Sequence, residues 1–236
     1  MSSPVATAPS RAVGSPNGPR SGGTTIEWAT LDLSASYRAV FDTMLPDAVQ
    51  VADPFHVVRL ANTALDECRR RVQNETVGHR GRKADPLYRA RRRLVMARER
   101  LSDDGHERLM GLLRAGDPRR EVWFAWNAKE IVRQISDHTD VEFAKAWVDE
   151  IIRDFADREM PHEVRRLGRT IGRWRDQIVA WHRSHVSNGP TEAVNNLVKR
   201  VKRVAFGMRN FQHYRIRSLL YAGKPNWALL NRLTPP

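Results

Sequence analysis

The stretch that most constrains the fold of this chain is a strand, a helix and a strand compressed into about thirty residues. Ile26, Trp28, Ala29, Thr30 and Leu31 make a short extended run ending at Asp32. A helical segment follows from about Ser34 to Leu45, Pro46-Asp47 breaks it, and Val49 to Ala52 reads as a second short strand ending at Asp53. Two strands joined through a helix pair in parallel, and a parallel sheet is covered by helices. The rest of the chain has to supply that cover.

After His56 the pattern is helical almost to the end. Val141, Ala144, Val148, Ile151 and Phe155 repeat at intervals of three and four, and so do Val164, Leu167, Ile171, Trp174, Ile178 and Trp181. Each series predicts one amphipathic helix with a buried stripe. Neither lasts the three to four heptads of a convincing coiled coil, so packing inside a helical body is the better reading. Trp123, Trp126, Trp147, Trp174 and Trp181 fall in this region and are expected to pack in the core rather than stack on bases. In Ser187-Asn188-Gly189-Pro190-Thr191-Glu192, Asn and Gly end one element and Pro starts the next helix, which runs to about Val204. Val194, Leu197, Val198 and Val201 should form its buried face, with Glu192, Asn196, Lys199 and Arg203 opposite.

Residues 1–23 are almost wholly Ser, Pro, Gly, Ala and Arg with no hydrophobic period, and disorder is expected there. Forty Lys and Arg against 27 Asp and Glu leave a formal charge of +13, for which a polyanionic partner, nucleic acid first, is the economical explanation. A solvated basic helix face is the plainer alternative, but it sits less well with so large an excess. A single cysteine, Cys68, excludes an internal disulfide or a cysteine-built zinc site and fits a reducing cytoplasm. No apolar run approaches the roughly 18 residues of a membrane span, so a soluble cytoplasmic, nucleoid-associated protein with no membrane partner is expected.

Asp32 ends a strand, where open α/β sheets place their ligands, but Asp is also a common strand-terminating turn residue. Glu192 lies in a helix first turn, where the macrodipole alone stabilises an acid by roughly 0.3–1 kcal/mol. Acids brought together from separate elements repel unless a divalent cation sits between them, and two-metal phosphoryl transfer uses such a cluster. The same elements would equally suit an acidic patch in a non-catalytic DNA binder.

Three blocks, Leu31 to Tyr37, Leu45 to Ala48 and Ala52 to Val58, together with Ser187 to Glu192, Asn195 to Arg203 and Ala205 to Phe211, resemble the core of the DDE transposases of the insertion-sequence L-three type. The resemblance spans about residues 26–223. It implies an α/β, mostly α fold: an incomplete ribonuclease-H-like sheet with two short parallel strands and a large helical insertion. Residues 24–58 and 187–223 would form the remnant of the catalytic core and 59–186 the insertion, between a disordered 1–23 and a C-terminal tail, 224–236. By the same resemblance Asp32 is the second aspartate of a catalytic Asp, Asp, Glu triad and Glu192 its glutamate, the pair serving as ligands for Mg²⁺ or Mn²⁺. Asp53 and His56 match an Asp-x-x-His motif with a supporting role, although a catalytic Asp53 and a plain core His56 both remain open. Asn196, Lys199, Arg200, Lys202, Arg203 and Arg209 would contact DNA.

The expected activity is metal-dependent cleavage and strand transfer on transposon ends and target DNA. The pattern is incomplete, however, since residues 1–31 contain no Asp to serve as the first triad member, and a zinc ribbon and helix-turn-helix are missing as well. The chain is therefore expected to be truncated and inactive. The alternative is a non-catalytic basic DNA-binding remnant that pairs with itself or with a full-length transposase and inhibits it.

Overall fold

A computed structural model describes residues 26–223. The expectations for 1–23 and for 224–236 lie outside the described residues. Strand β1 (Trp28–Leu31), helix α1 (Ala35–Met44) and strand β2 (Val49–Ala52) form the anticipated βαβ unit. The strands pair in parallel with Trp28 opposite Val49 and Leu31 opposite Ala52. The ladder continues past both ends of the strands: Val49 N–H donates to the Glu27 carbonyl at 2.8 Å, and Asp53 N–H to the Leu31 carbonyl at 3.4 Å. Ala29, Leu31, Val51 and Ala52 are all buried, as a helix-covered parallel sheet requires.

The cover comes from helices α2 (Pro54–Val77), α3 (Pro86–Val95), α4 (Asp103–Gly116), α5 (Glu121–Arg133), α6 (Val141–Asp154), α7 (His162–Arg173) and α8 (Arg175–Ser184). Helix α2 is the spine of this body. Its 24 residues give a rod of about 36 Å, with Val57, Ala61, Leu65, Cys68 and Val72 buried at helical spacing. It packs mainly on α5 and α7, while α8 lies against β2, and α6 against α7 and α8. The run of α2 stops where Gly78 takes a left-handed φ of 72° and its N–H closes onto the Asn74 carbonyl at 2.9 Å.

Two sets of charged residues inside this body are matched. The Arg71 guanidinium on α2 grips Glu163 of α7 at 2.8 and 3.1 Å and also binds Glu121 of α5. Burial opposes ionisation of Glu163, but the Arg71 hydrogen bonds outweigh it and hold the carboxyl below the usual range. Lys129, wholly buried, donates to the carbonyls of Leu94 and Met96 at 2.8 and 2.7 Å and pairs with Glu130. It thereby supplies a cap for the C-terminal end of α3 from a different helix.

The five tryptophans pack as expected: Trp126 and Trp174 are buried, Trp123 and Trp147 lie half-buried against the core, and Trp181 is half-buried on α8. Cys68 is buried, and burial pushes its thiol well above the usual range, so it is inert. The stripe from Val164 to Trp181 is not one helix but two. Trp174, at φ −109° and ψ 13°, interrupts it, its N–H bonding back to the Thr170 and Ile171 carbonyls. Ile171, Trp174 and Ile178 nevertheless all stay buried. A one-residue kink leaves three- and four-residue spacing intact, which is why periodicity runs straight through it.

A second compact unit begins at Ser187. Helix α9 (Gly189–Val204) pairs with α10 (Phe211–Ala222) as a hairpin. The turn closes through Phe206 and Gly207, both at positive φ, and the Asn210 side chain caps α10 by accepting from Gln212 N–H at 2.8 Å. The expected buried face of α9 is not realised. Val194 is 47% exposed, Leu197, Val198 and Val201 are half-buried, and α9 has no buried residue. Two helices alone provide only one wall for each stripe and cannot enclose it.

Two glycines of α7 report the packing of α6 against it. A Cβ at Gly168 would stand 2.7 Å from the Phe155 Cβ, whereas one at Gly172 would meet only Ile152 at 3.8 Å. Gly168→Ala is expected to lose about 1–3 kcal/mol by overpacking, and Gly172→Ala to be neutral or stabilised by up to about 1 kcal/mol. Urea unfolding of both variants checks this; equal effects would contradict the close crossing.

His182 offers a second check. Burial lowers its pKa, against the opposing effect of its Nδ1 hydrogen bond to the His138 carbonyl at 2.9 Å. The folded state therefore prefers the neutral ring. Its contribution is fully present above the ordinary value of 6.5 and is lost as pH falls through the lowered folded value. Urea midpoints should drop between about pH 7.5 and about pH 5.5, and the drop should shrink in His182→Asn.

Candidate active site

The parallel register sets the geometry of the candidate site. Leu31 and Ala52 are partners, so the residues that follow them, Asp32 and Asp53, leave the sheet side by side at its C-terminal end. The two acids then diverge in environment. Asp32 has a side chain 41% exposed, and the chain turns sharply behind it through Leu33 at a left-handed φ of 57°. A non-glycine residue there is uncommon and costs of order 1 kcal/mol, so the turn into α1 is held by its surroundings.

Asp53 is buried, and its Oδ1 accepts the Phe55 N–H at 2.8 Å. With Pro54 at the first helical position, this is a complete N-cap for α2. The cap fixes the first turn, where His56 N–H donates to the Asp53 carbonyl at 3.0 Å. His56 is buried, edge-on to Phe55 with centroids 5.4 Å apart, and its Nε2 stands 3.1 Å from Asp32 Oδ1. The motif residues thus act in series: Asp53 caps the helix, the helix presents His56, and His56 faces Asp32. The strand-end acids were legible in the sequence. The contact between His56 and Asp32 was not, and its only signal was the parallel register combined with a helix starting directly after the second strand.

Glu192 lies in the first turn of α9, its N–H bonded to the Asn188 carbonyl at 2.8 Å, and its side chain is exposed. Asn196, Lys199, Arg200, Lys202 and Arg203 are exposed along the same helix, and Arg209 is exposed in the turn before α10. Asp32, Asp53 and His56 belong to the first unit; Glu192 and these basic residues belong to the second.

Among the described residues no three His, Cys, Asp or Glu side chains gather closely enough to hold a metal ion. Asp32 offers one exposed carboxylate, and one oxygen of Asp53 is occupied by the helix cap. The described residues therefore do not by themselves fit a divalent cation, whose binding needs several oxygen ligands.

A mainly helical body on a short parallel sheet, with paired acids at the strand ends, is an arrangement that places functional groups at the carboxyl end of the strands. A family model described as Transposase, for DDE transposases of the ISL3 type, matches residues 16–218, and the chain belongs to this family. It is also similar to the transposases for insertion sequence element IS1557 of Mycobacterium tuberculosis strains CDC 1551 / Oshkosh and ATCC 25618 / H37Rv. Each is 30% identical over 190 residues, covering 71% of this chain and 41% of the relative. The chain thus spans about two-fifths of the length of these curated relatives. No solved structure matches it. Among the described residues, no helix is long and apolar enough to cross a membrane.

Removing the cap tests the series from Asp53 to His56. Asp53→Ala should cost about 0.5–2 kcal/mol, and Asp53→Asn much less, because Asn caps nearly as well. Thermal unfolding of both variants distinguishes the cap from a requirement for negative charge, under which Asn would be as damaging as Ala.

Proposed function

We propose that this chain carries part of the catalytic core of a transposase that cuts and joins DNA at the ends of an insertion sequence. The observation that carries this reading is the family match across residues 16–218, which takes in both strand-end acids and helix α9. In this reading β1 and β2 belong to a ribonuclease-H-like sheet, 24–58 and 187–223 form the core, and 59–186 is a helical insertion. Asp32 is the second triad aspartate and Glu192 the glutamate. Asp53 and His56 orient Asp32 rather than react. Lys199, Arg200, Lys202, Arg203 and Arg209, with Asn196, contact the phosphates and edges of transposon-end and target DNA.

Asp32 and Glu192 are two of the three acids that this chemistry would direct at Mg²⁺ or Mn²⁺. The third has no candidate aspartate in residues 1–31 of this chain. The described residues do not by themselves gather three metal-ligating side chains, and this favours a second reading for these 236 residues: a basic DNA-binding protein that does not cleave, able to pair with itself or with a complete transposase and regulate it.

The purified chain should bind duplex DNA with little sequence preference, weakening steeply between roughly 50 and 200 mM salt as counterion release predicts. With Mg²⁺ or Mn²⁺ and transposon-end DNA it should produce no cleaved or joined product. Salt-independent binding, or none, would contradict the DNA reading. Cleavage that disappears in both Asp32→Ala and Glu192→Ala would show that the chain completes its own site, with Asp53 the leading candidate for the remaining ligand.

A further inference from the structure

Residues 80–100 hold nine Lys and Arg against two acids, a net +7 within a chain whose total is +13. This segment comprises the loop into α3, α3 itself and the 3-10 turn Arg98–Arg100. Leu87, Ala90 and Leu94 bury one face of α3 against the body. At 100° per residue, Arg89 and Arg92 fall on the opposite face and are exposed, with Arg93 half-buried on the flank. Arg82 and Lys83 before the helix, and Arg98 and Arg100 after it, are exposed.

Two observations separate this surface from an ordinary solvated run. The first is that its cations are not neutralised. Arg69, Arg70, Arg71, Arg133, Arg166 and Arg175 in the rest of the body each have a carboxylate partner, and the basic residues there that lack one among the described residues, such as Arg108 and Arg169, lie among a slight excess of acids. None of the nine has one among the described residues. Both acids of the segment are engaged: Asp85 with His79 at 3.5 Å and with the Arg82 backbone N–H, and Glu99 with Arg133 of α5. The second is that the segment is pinned. Lys129 holds the carbonyls of Leu94 and Met96, the Glu99–Arg133 pair ties the 3-10 turn to α5, and Arg91 lies 3.7 Å over the Tyr88 ring. Like charges held close on a rigid surface repel, and an extended polyanion relieves that repulsion.

We propose that α3 and its two flanking turns form a DNA-backbone surface of the first unit, in addition to the basic residues of α9 in the second, that binds duplex phosphates without reading sequence. The choice of DNA as the polyanion rests on the function proposed above. Arg89, Arg92, Arg82 and Arg98 each supply a phosphate contact, and the buried face of α3 and the Lys129 cap keep them in place.

The test measures binding of the full chain to a mixed-sequence duplex of about 30 base pairs by fluorescence anisotropy as salt is varied. Three variants are compared with the parent: a quadruple Arg82→Gln, Arg89→Gln, Arg92→Gln, Arg98→Gln; its all-lysine counterpart; and Lys199→Gln with Arg203→Gln. Each lost phosphate contact lowers the salt slope by about 0.9, so the quadruple glutamine variant should lose about 3–4 and bind at least ~10-fold more weakly near 100 mM salt. The lysine counterpart should stay within about threefold of the parent, since point charges suffice at phosphates. A quadruple variant that binds like the parent while the α9 variant weakens overturns the surface and leaves the function standing. A parent that binds no DNA overturns the function, and the surface with it. A lysine version as weak as the glutamine version shows packing rather than charge and also overturns the proposal. So does a quadruple variant that loses binding to phosphatidylserine vesicles but keeps DNA.

Discussion

The first unit depends on a four-residue parallel ladder. Two short strands cannot stand alone, because a parallel pair has both faces to cover and a pair this short gains few hydrogen bonds of its own. Here α8 lies against β2, and only Asp53 separates the end of β2 from the start of α2, so the helical body clamps the sheet from within the same chain. The consequence for function is positional. Fixing Leu31 opposite Ala52 fixes Asp32 beside Asp53, and capping α2 with Asp53 sets His56 against Asp32. A slip of one residue in this register would separate all three.

How much of this was readable beforehand follows from the range of each interaction. The βαβ unit and the boundaries of α9 were legible because Asp32, Pro46, Asp53 and Pro190 punctuate the chain locally. The break at Trp174 was not, since no proline marks it and the hydrophobic period survives it. The stripe of α9 was visible as a pattern, but whether Val194 is covered depends on what it packs against, which periodicity does not contain. At the candidate site the sequence showed which acids end the strands. That Asp53 is a buried cap while Asp32 stays exposed is a tertiary outcome.

Charge divides the molecule in a way that composition alone conceals. Basic residues inside the body, such as Arg71 and Lys129, are matched by carboxylates or carbonyls and serve cohesion. Those around α3 are held rigid yet lack acidic partners among the described residues, and those on α9 are exposed. The formal charge of +13 is therefore unevenly spread: residues 80–100 carry +7 and residues 187–223 carry +6, whereas 26–79 and 101–186 hold slightly more acids than bases.

The central claim is that the parallel ladder holds Asp32 and Asp53 together at the strand ends, and amide hydrogen exchange followed by NMR tests it most directly. The Asp53 N–H, bonded to the Leu31 carbonyl, and the Val49 N–H, bonded to the Glu27 carbonyl, should exchange slowly, protected alongside the central amides of α2. Exchange of both at the rate of an unstructured peptide while α2 remains protected would mean that the strands are not paired, and the site built on their register would not exist.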